Sequence, residues 1–338
     1  MRCPRISDLP PVPQGRHGWP WTVETTAPPD QNVPRWPKIT VVTPSFNQGR
    51  YLEETIRSVL LQGYLDLEYI IIDGGSTDES VRVIKAYEPF LTRWVSERDN
   101  GQSHAINKGL SSSQGDIVAW LNSDDMYREG ALGHVSATFA RMPEVDFLYG
   151  DCFTVDSSGR ILGQRWPPKD FSLEGQLLDG SMIAQPSCFW RRRALERLGP
   201  LREDLHVMLD YEYWRRAALV GCRFWRTDEV LSYFRDHEAQ KTSTLYRRWL
   251  IEERQLFSEE RAYPQFPLGA SYFRKKAAQL LRFEAMVQES EDDDLGCAIT
   301  SVRSLMAAGR SCRASDLLAT VKRLTKLLLK QVGYRRRQ

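Results

Sequence analysis

A cluster of polar residues directly follows an apolar run in the first half of the chain. The run spans Ile117 to Leu121, and the residues that follow are Asn122, Ser123, Asp124 and Asp125. A short stretch that is apolar throughout is typical of a strand buried on both faces of a parallel sheet. The carboxyl ends of such strands form the edge at which open α/β sheets bind ligands. Because carboxylates are hard oxygen ligands, the cluster predicts a divalent cation that holds phosphate.

Two other polar segments follow apolar runs and are predicted to reach the same edge. After the run that begins at Ile39 come Thr43, Pro44, Ser45 and Asn47. After Tyr69 to Ile72 come the polar residues Asp73, Ser76 and Asp78, with Gly74 and Gly75 between the first two. Glycines let the backbone approach a ligand closely, and a carboxylate such as Asp73 can accept a hydrogen bond from a base or a ribose. Together the three segments predict a cradle for a nucleoside diphosphate.

Alternating strands and helices between residues 38 and 125 position these segments. Four runs have the length and composition of strands: Ile39–Thr43, Tyr69–Ile72, Leu91–Ser96 and Asp116–Leu121. The spacing of Ser76 and Glu79 is that of a capping box, which predicts a helix start after the second strand. This alternation predicts a parallel sheet whose right-handed connections bring the strand ends to one edge. Further on, the pattern predicts strands at Phe147–Tyr149 and Leu231–Phe234 and helices at Pro186–Leu198 and Asp210–Val220.

Composition and missing motifs exclude several classes of function. The formal net charge is +2, from 46 basic and 44 acidic residues, so bulk charge gives no reason to expect nucleic-acid binding. The chain has neither the glycine spacing of a dinucleotide fingerprint nor a Walker lysine, which argues against a nicotinamide enzyme or a P-loop ATPase. No signal sequence and no stretch of about 18 apolar residues is visible. We therefore expect a cytoplasmic protein, soluble or peripheral at the inner face of the membrane, with its six scattered cysteines reduced.

Three regions are predicted along the chain. Residues 1 to 37 form a proline-rich extension, which its tryptophans either anchor to the domain or leave as a tethered tail. Residues 38 to 245 form the α/β domain. Residues 246 to 338 form a helical region, because strand patterns fade and charged helical patterns dominate there.

The chain ends in a basic amphipathic segment. A helix over residues 314 to 338 would place these residues on one face: Leu317, Leu318, Val321, Leu324, Leu327 and Leu328. Lysines and arginines lie between and after them. We expect this helix to pack against residues 272 to 309, with peripheral contact to an anionic membrane as the alternative.

Three motifs resemble the family 2 glycosyltransferases in order and spacing. They are the segments Ile39–Asn47, Ile71–Asp78 and Trp120–Asp125, and the resemblance covers about residues 38 to 245. It implies the GT-A fold, an α/β, Rossmann-like architecture with a mixed, mainly parallel sheet flanked by helices, here followed by a C-terminal helical appendage. Two departures from the family pattern stand out: many members have a second acid where this chain has Gly74, and the first acid of the DxD-like motif is here Asn122.

The resemblance also implies roles for single residues at the donor side. Asp73 contacts the nucleobase, Thr43 and Pro44 line its pocket, and Asp124 binds Mg²⁺ or Mn²⁺, while Asn122 can still hydrogen-bond the ribose. The segment Asp99–Gly109 resembles the donor-side helix of the family, with Asn107 and Lys108 facing the nucleotide. His104 in this segment is interpreted as a surface histidine.

Two segments further along the chain also resemble family motifs. A loop histidine of the family closes over the pyrophosphate or the metal, so His237 is a candidate ligand and Lys241 a candidate phosphate contact. The segment Gln185–Arg191 resembles one that borders the acceptor pocket; its aromatic residues Phe189 and Trp190 either stack on a sugar or belong to the core.

Sugar transfer needs a base, because an acceptor hydroxyl becomes a good nucleophile only as it loses its proton. Asp210 matches the catalytic base of inverting family members, and an ordinary helix N-cap is the alternative interpretation. Glu212 is the second candidate. The glutamate that precedes the base in many relatives is replaced here by Leu209.

These observations predict an inverting, metal-dependent glycosyltransferase. It would move a sugar from a UDP- or GDP-sugar to a glycan or lipid-linked acceptor, in surface polysaccharide assembly. A sugar-phosphate nucleotidyltransferase would share the sheet and the metal, but it needs a basic glycine-rich loop near the amino terminus that this chain lacks. A catalytically degenerate nucleotide-sugar-binding or scaffold subunit is the non-enzymatic alternative, motivated by Gly74, Asn122 and Leu209.

Overall fold

A computed structural model describes residues 4–25, 36–164, 169–180, 182–238, 240, 245–290, 293–308 and 314–335. The chain divides into two compact units. The first comprises Met1–Ser172 with Ser181–Glu238, and the second comprises Leu173–Gly180 with Ala239–Gln338. The three-region division predicted from the sequence stays a prediction.

Within the described residues, nine strands form one sheet. Their bounds are β1 (Ile39–Ser45), β2 (Leu67–Asp73), β3 (Arg93–Ser96), β4 (Ile117–Trp120), β5 (Met126–Tyr127), β6 (Phe147–Val155), β7 (Ile161–Gln164), β8 (Cys188–Arg191) and β9 (Phe224–Arg235). The order is β3-β2-β1-β4-β8-β6-β9-β5, and β7 pairs with β6. Strands β1 to β4, β6 and β9 run in one direction, and β5, β7 and β8 run against them. This mixed, mostly parallel sheet confirms the predicted GT-A-like α/β fold.

Helices accompany the sheet in the first unit and make up the second. Their bounds are α1 (Gly49–Leu60), α2 (Ser80–Tyr87), α3 (Gln102–Ser111), α4 (Ala131–Arg141), α5 (Leu173–Asp179), α6 (Arg192–Leu198), α7 (Leu209–Leu219), α8 (Tyr246–Ala262), α9 (Ala270–Ser290), α10 (Asp294–Ala308) and α11 (Ala314–Arg335). None of the described helices is long and apolar enough to cross a bilayer.

The strand register brings the polar segments to one edge. Ser45 at the end of β1 is aligned with Asp73 at the end of β2, and Asp73 is aligned with Ser96 at the end of β3. Val42 of β1 is aligned with Trp120, the last residue of β4. The loops after β1, β2 and β4 therefore emerge side by side, as the alternation of strands and helices predicted.

Two local predictions were wrong. The segment Pro186–Leu198 is helical only from Arg192, because Cys188–Arg191 forms β8 between β4 and β6. Its aromatic residues Phe189 and Trp190 are fully buried there, which is the environment of a central strand. The helix after β2 begins at Ser80 rather than just after Ser76, and the Asp78 carboxylate, not a capping box, accepts from the Ser80 amide at 2.9 Å.

The proline-rich N-terminal segment is anchored to the first unit. The buried guanidinium of Arg57 donates to the carbonyls of Pro10 at 3.0 Å and Pro20 at 3.2 Å. The indole of Trp19 donates to the Tyr127 carbonyl at 2.8 Å, and the indole of Trp21 is buried. Residues 4 to 25 are therefore anchored to the domain through their tryptophans and do not form a tethered tail.

Candidate functional site

Asp73 organises the loop that follows β2. Its side chain is fully buried, and Oδ2 accepts hydrogen bonds from the Gly75 amide at 3.1 Å, the Ser76 amide at 2.9 Å and the Ser96 hydroxyl at 2.7 Å. Oδ1 accepts from the Ser76 hydroxyl at 2.5 Å. Because a carboxylate has about four acceptor positions, these bonds occupy its capacity. Asp73 thus fixes the shape of the loop, and its contact with a nucleobase stays a prediction.

The loops after β1 and β2 are tied together. Asn47 has a φ of 53°, a left-handed conformation that asparagine tolerates well. Its amide donates to the Ser76 hydroxyl at 2.8 Å, and its Oδ1 accepts from the Thr77 amide at 2.9 Å. The Gly49 amide at the start of α1 donates to Asp78 at 2.8 Å. Asn47, Ser76 and Asp78 thus lie together at the edge, as predicted, and hold two loops in one arrangement.

The hydrogen bonds to Asp78 also affect its ionisation. Partial burial raises the pKa of this carboxyl, but hydrogen bonds from Ser80 and the Gly49 amide outweigh burial and leave the pKa below its ordinary value. Asp78 is therefore ionised across the neutral range, and its charge lies at the amino termini of two helices, where negative charge is favoured.

Thr43 and Pro44 lie beneath this edge rather than on its surface. Both are buried, and the Thr43 hydroxyl lies 3.1 Å from the hydroxyl of Tyr69. Burial raises the pKa of Tyr69, so its phenol stays protonated. Contact of Thr43 and Pro44 with a nucleobase stays a prediction.

Asp99 supplies an acid next to Gly74. A Cβ atom added to Gly74 would lie 2.7 Å from Oδ2 of Asp99. The other carboxylate oxygen of Asp99 accepts from the Gly101 amide at 2.7 Å. The space that a side chain at position 74 would need is therefore already filled by a carboxylate from the β3–α3 loop. Sequence reasoning named Asp99 only as the first residue of the donor-side segment and gave it no role. The glycine at position 74 was the signal that an acid from another loop could occupy this space.

We expect Gly74→Asp to lower the free energy of unfolding by about 1–3 kcal/mol, the usual cost of overpacking. The added side chain would meet the Asp99 carboxylate, so volume and like charge act in the same direction. Urea denaturation of the purified chain measures the effect.

The matched control is Gly74→Asp in an Asp99→Ala background. There the obstructing carboxylate is gone, and the additional loss of stability should shrink to under half. If Gly74→Asp lowers the free energy of unfolding equally with and without the Asp99 carboxylate, Asp99 does not obstruct a side chain at position 74.

Asn122 is held by two glutamines. Its Oδ1 accepts from Nε2 of Gln102 at 2.7 Å, and its Nδ2 donates to Oε1 of Gln185 at 3.0 Å. Gln185 in turn donates to the Trp120 carbonyl at 2.8 Å. These bonds join α3, the end of β4 and the start of β8. Asn122 therefore orders the edge of the sheet, and contact with a ribose stays a prediction.

Asp125 has a structural position. It is buried, and its Oδ1 accepts from the Arg235 amide at the end of β9, at 3.0 Å. The Thr55 hydroxyl of α1 donates to the carbonyls of Ser123 at 3.0 Å and Asp125 at 2.7 Å. These bonds attach the loop after β4 to both β9 and α1. Of the two carboxylates in this loop, Asp125 is buried and Asp124 is partly exposed.

Asp124 and His237 form the pair best suited to a cation. Nε2 of His237 and Oδ2 of Asp124 form a hydrogen bond of 3.0 Å, and the imidazole packs on the ring of Tyr51 with centroids 4.9 Å apart. Metal–ligand bonds of about 2.1 Å at right angles separate neighbouring ligands by about 3 Å, so one octahedral ion fits this spacing. The described residues contain no group of three or more histidine, cysteine, aspartate or glutamate side chains that could hold a metal ion. One carboxylate and one imidazole fit an ion whose other ligands are phosphate and water.

A buried ion pair supports this loop from behind. Nη2 of Arg235 lies 2.7 Å from Oε2 of Glu54, and both side chains are buried. Nε of Arg235 donates to the Asp124 carbonyl at 2.9 Å, and its guanidinium lies 4.9 Å from the Tyr51 ring centroid. The Trp21 indole donates to the other oxygen of Glu54 at 3.0 Å. Sequence reasoning missed this pair, because its members are far apart in the chain and form no motif.

Asp210 is the half-buried acid at the start of α7. Its Oδ1 accepts from the Tyr211 amide at 2.7 Å. Burial, with the nearby charge of Asp210, raises the pKa of the Cys188 thiol. Since β8 runs against β4, Cys188 begins β8 at the edge where β4 ends. The charge of Asp210 therefore acts on the start of β8, the strand that begins at the edge where β4 ends.

Glu212 is committed to another interaction. It is buried, and its two oxygens accept from Nε and Nη2 of Arg216 at 3.1 Å and 3.0 Å. Since both oxygens of Glu212 already accept from Arg216, Asp210 is the better candidate base.

Several predicted residues have partners away from the polar loops. Asn107 exchanges hydrogen bonds with the backbone of Leu201, at 2.9 Å and 2.8 Å, and Lys108 pairs with Glu97. His104 accepts from the Asn100 amide at 3.1 Å, in agreement with a surface histidine. Lys241 lies outside the described residues.

The aromatic residues of the segment Gln185–Arg191 belong to the core. Trp190 packs edge-to-face on Trp120 and on Trp214, with ring centroids 5.3 Å and 5.7 Å apart. Phe189 packs on Tyr127 with centroids 5.3 Å apart. Of the two alternatives for Phe189 and Trp190, the structure supports packing.

The sequence matches a known family model and known relatives. The model described as "Glycosyl transferase family 2" matches residues 40–199. An uncharacterized glycosyltransferase of Mycobacterium tuberculosis is 32% identical over 190 residues, which cover 54% of this chain and 70% of the relative. A PGL/p-HBAD biosynthesis glycosyltransferase of Mycobacterium bovis is 28% identical over 181 residues, which cover 52% of this chain and 68% of that protein.

The fold is similar to that of solved glycosyltransferases. Residues 1–349 of S. aureus TarS in complex with UDP-GlcNAc superpose with a TM-score of 0.58 at 17% identity, covering 80% of this chain and 81% of that one. The mannosyltransferase PcManGT from Pyrobaculum calidifontis, in complex with GDP-Man and Mn²⁺, gives a TM-score of 0.53 at 21% identity and covers 90% and 84%. At these identities the likeness establishes the shared fold.

Proposed function

The chain belongs to glycosyl transferase family 2, and from that premise we propose that it is an inverting, metal-dependent enzyme that uses a nucleoside diphosphate sugar. The observation that carries the proposal is the Asp124–His237 pair, whose 3.0 Å separation suits two ligands of one cation. Asp210, half-buried at the start of α7, adds a candidate base.

The proposed donor is a UDP- or GDP-sugar. TarS binds UDP-GlcNAc and the P. calidifontis mannosyltransferase binds GDP-Man with Mn²⁺, and both share this fold. Asp124 and His237 would hold Mg²⁺ or Mn²⁺, which when bound neutralises charge on the diphosphate as it leaves. The hydrogen-bonded loops around Asn47, Asp73 and Asn122 would give the nucleotide a preformed surface. Lys241 is the proposed phosphate contact.

Asp210 is the proposed base. Its carboxylate accepts the proton of the acceptor hydroxyl while that oxygen forms a bond to the anomeric carbon of the donor sugar. The bond from this carbon to the diphosphate oxygen breaks, and the nucleoside diphosphate leaves with its electron pair. Since attack and departure take place on opposite faces of the sugar, the anomeric configuration inverts.

The proposed acceptor is a glycan or a lipid-linked sugar in surface polysaccharide assembly. The M. bovis relative is named a PGL/p-HBAD biosynthesis glycosyltransferase, which supports a biosynthetic role in sugar transfer.

A panel of UDP- and GDP-sugars with and without Mn²⁺ tests the proposal. A matching donor at about 100 times its Kd should stabilise the native state by about 2.7 kcal/mol, which thermal unfolding reports as a higher Tm. The part of the shift that needs Mn²⁺ should disappear in Asp124→Asn. Slow release of free sugar from the same donor would show turnover.

Two other results would count against the proposal. A shift with no hydrolysis or transfer to any acceptor would indicate a nucleotide-sugar-binding subunit without catalysis. No shift with any donor would remove the proposed substrate class.

A further inference from the structure

The amphipathic helix α11 packs in the second unit through its polar face. Nη1 of Arg282 in α9 lies 3.3 Å from Oδ2 of Asp316, and Arg323 lies 3.0 Å from Glu289. Between them in the sequence, the Thr320 side chain is buried. Because each residue of an α-helix is rotated by about 100° from the one before it, Asp316, Thr320 and Arg323 lie on the same side of α11. The side of α11 that faces its neighbours is therefore charged and polar.

The apolar face of α11 is exposed. The exposed fractions are 54% for Leu317, 58% for Leu318, 49% for Val321 and 37% for Leu324. The helix does pack against residues 272 to 309, as expected, but it does so through its other side, by the ion pairs of Asp316 with Arg282 and of Arg323 with Glu289. Clustered exposed aliphatic residues are a common sign of an interaction surface. We call Leu317, Leu318, Val321 and Leu324 the leucine face.

Positive charge accompanies the leucine face. Lys322 and Lys326 are exposed and lie one turn apart along its side. An apolar stripe with lysines beside it is the pattern of helices that lie in the plane of an anionic membrane surface. A second copy of the same face would bring like charges together, so the charge pattern favours a lipid surface over self-association.

We propose that the leucine face of α11 docks the protein on an anionic bilayer. The helix lies in the interface, with its aliphatic side chains among the acyl chains and Lys322 and Lys326 at the lipid phosphates. This contact goes beyond the proposed sugar transfer and does not depend on it, because binding to vesicles needs neither donor nor acceptor.

Vesicle flotation of the full chain tests this. We expect binding to vesicles of phosphatidylglycerol and phosphatidylcholine and little binding to phosphatidylcholine alone. Leu318→Glu with Val321→Glu should lower the partition coefficient at least about tenfold, since it places charge in the acyl region. Lys322→Glu should lower it several-fold, and more at low salt than at high salt.

The matched controls are Ile251→Glu and Leu65→Glu, at positions that are 57% and 66% exposed but lie on other elements. They should bind vesicles like the unaltered chain, and circular dichroism should show equal helix content in all variants. Equal binding by the α11 variants and the controls would overturn the proposal. So would a dimer in light scattering without lipid that the paired α11 substitution abolishes, because the face would then bind a second copy.

Discussion

Asp210→Asn is expected to lower the rate of sugar transfer by roughly 10²- to 10⁴-fold, the usual loss when a general base is removed. An amide cannot accept the hydroxyl proton at neutral pH, although it keeps nearly the same size and can still accept from the Tyr211 amide. The affinity for the donor should change little, because the proposed cation ligands are Asp124 and His237. Steady-state kinetics with the matching donor, combined with calorimetric donor binding, separates the two effects.

The matched control for this substitution is Asp204→Asn in the loop before α7. Asp204 pairs with Arg202 at the surface, at 2.7 Å, so its loss should leave kcat within about twofold. Turnover of Asp210→Asn near the normal rate would remove Asp210 as the base. A parallel fall in donor affinity would indicate that Asp210 holds the donor instead.

Arg235→Met is expected to lower the free energy of unfolding by about 3–5 kcal/mol, because it leaves Glu54 buried without its cation. The same substitution removes the donor to the Asp124 carbonyl. The folded part of the Arg235→Met protein should therefore need a higher Mn²⁺ concentration for half-maximal activity. Urea denaturation and metal titration measure the two effects.

Two companion variants separate the ion pair from general packing. Arg193→Met removes an arginine that is half exposed and pairs with Asp146, and it should cost less than about 1 kcal/mol. Glu54→Gln combined with Arg235→Met should recover part of the lost stability, because no buried charge then stays unpaired. If the double variant is as unstable as the sum of the single ones, the Glu54–Arg235 contact contributes no coupling.

The strands and their common edge could be predicted because uninterrupted apolar runs have few alternatives in a soluble protein. The runs at Ile39 and Ile117 became β1 and β4 for this reason. The four residues Cys188–Arg191 could not be assigned, because a short apolar run next to a helix has no periodicity of its own.

The site was predicted at the level of segments and less well at the level of single side chains. Polar residues did collect at the predicted edge, but the hydrogen-bond partners of Asn107 and Asn122 come from distant parts of the chain. Sequence spacing does not reveal which acceptor positions of a side chain are already occupied. In α11, periodicity identified the apolar face but could not show that ion pairs would turn it outward.

The hydrogen bonds of the N-terminal segment bear on where the chain can be shortened. Trp21 donates to Glu54, and the carbonyls of Pro10 and Pro20 accept from Arg57. A fragment starting at residue 40, where the match to the family model begins, would leave the buried side chains of Glu54 and Arg57 facing a missing surface. The region that the family model matches is thus smaller than the first compact unit, into which residues 4 to 25 are packed.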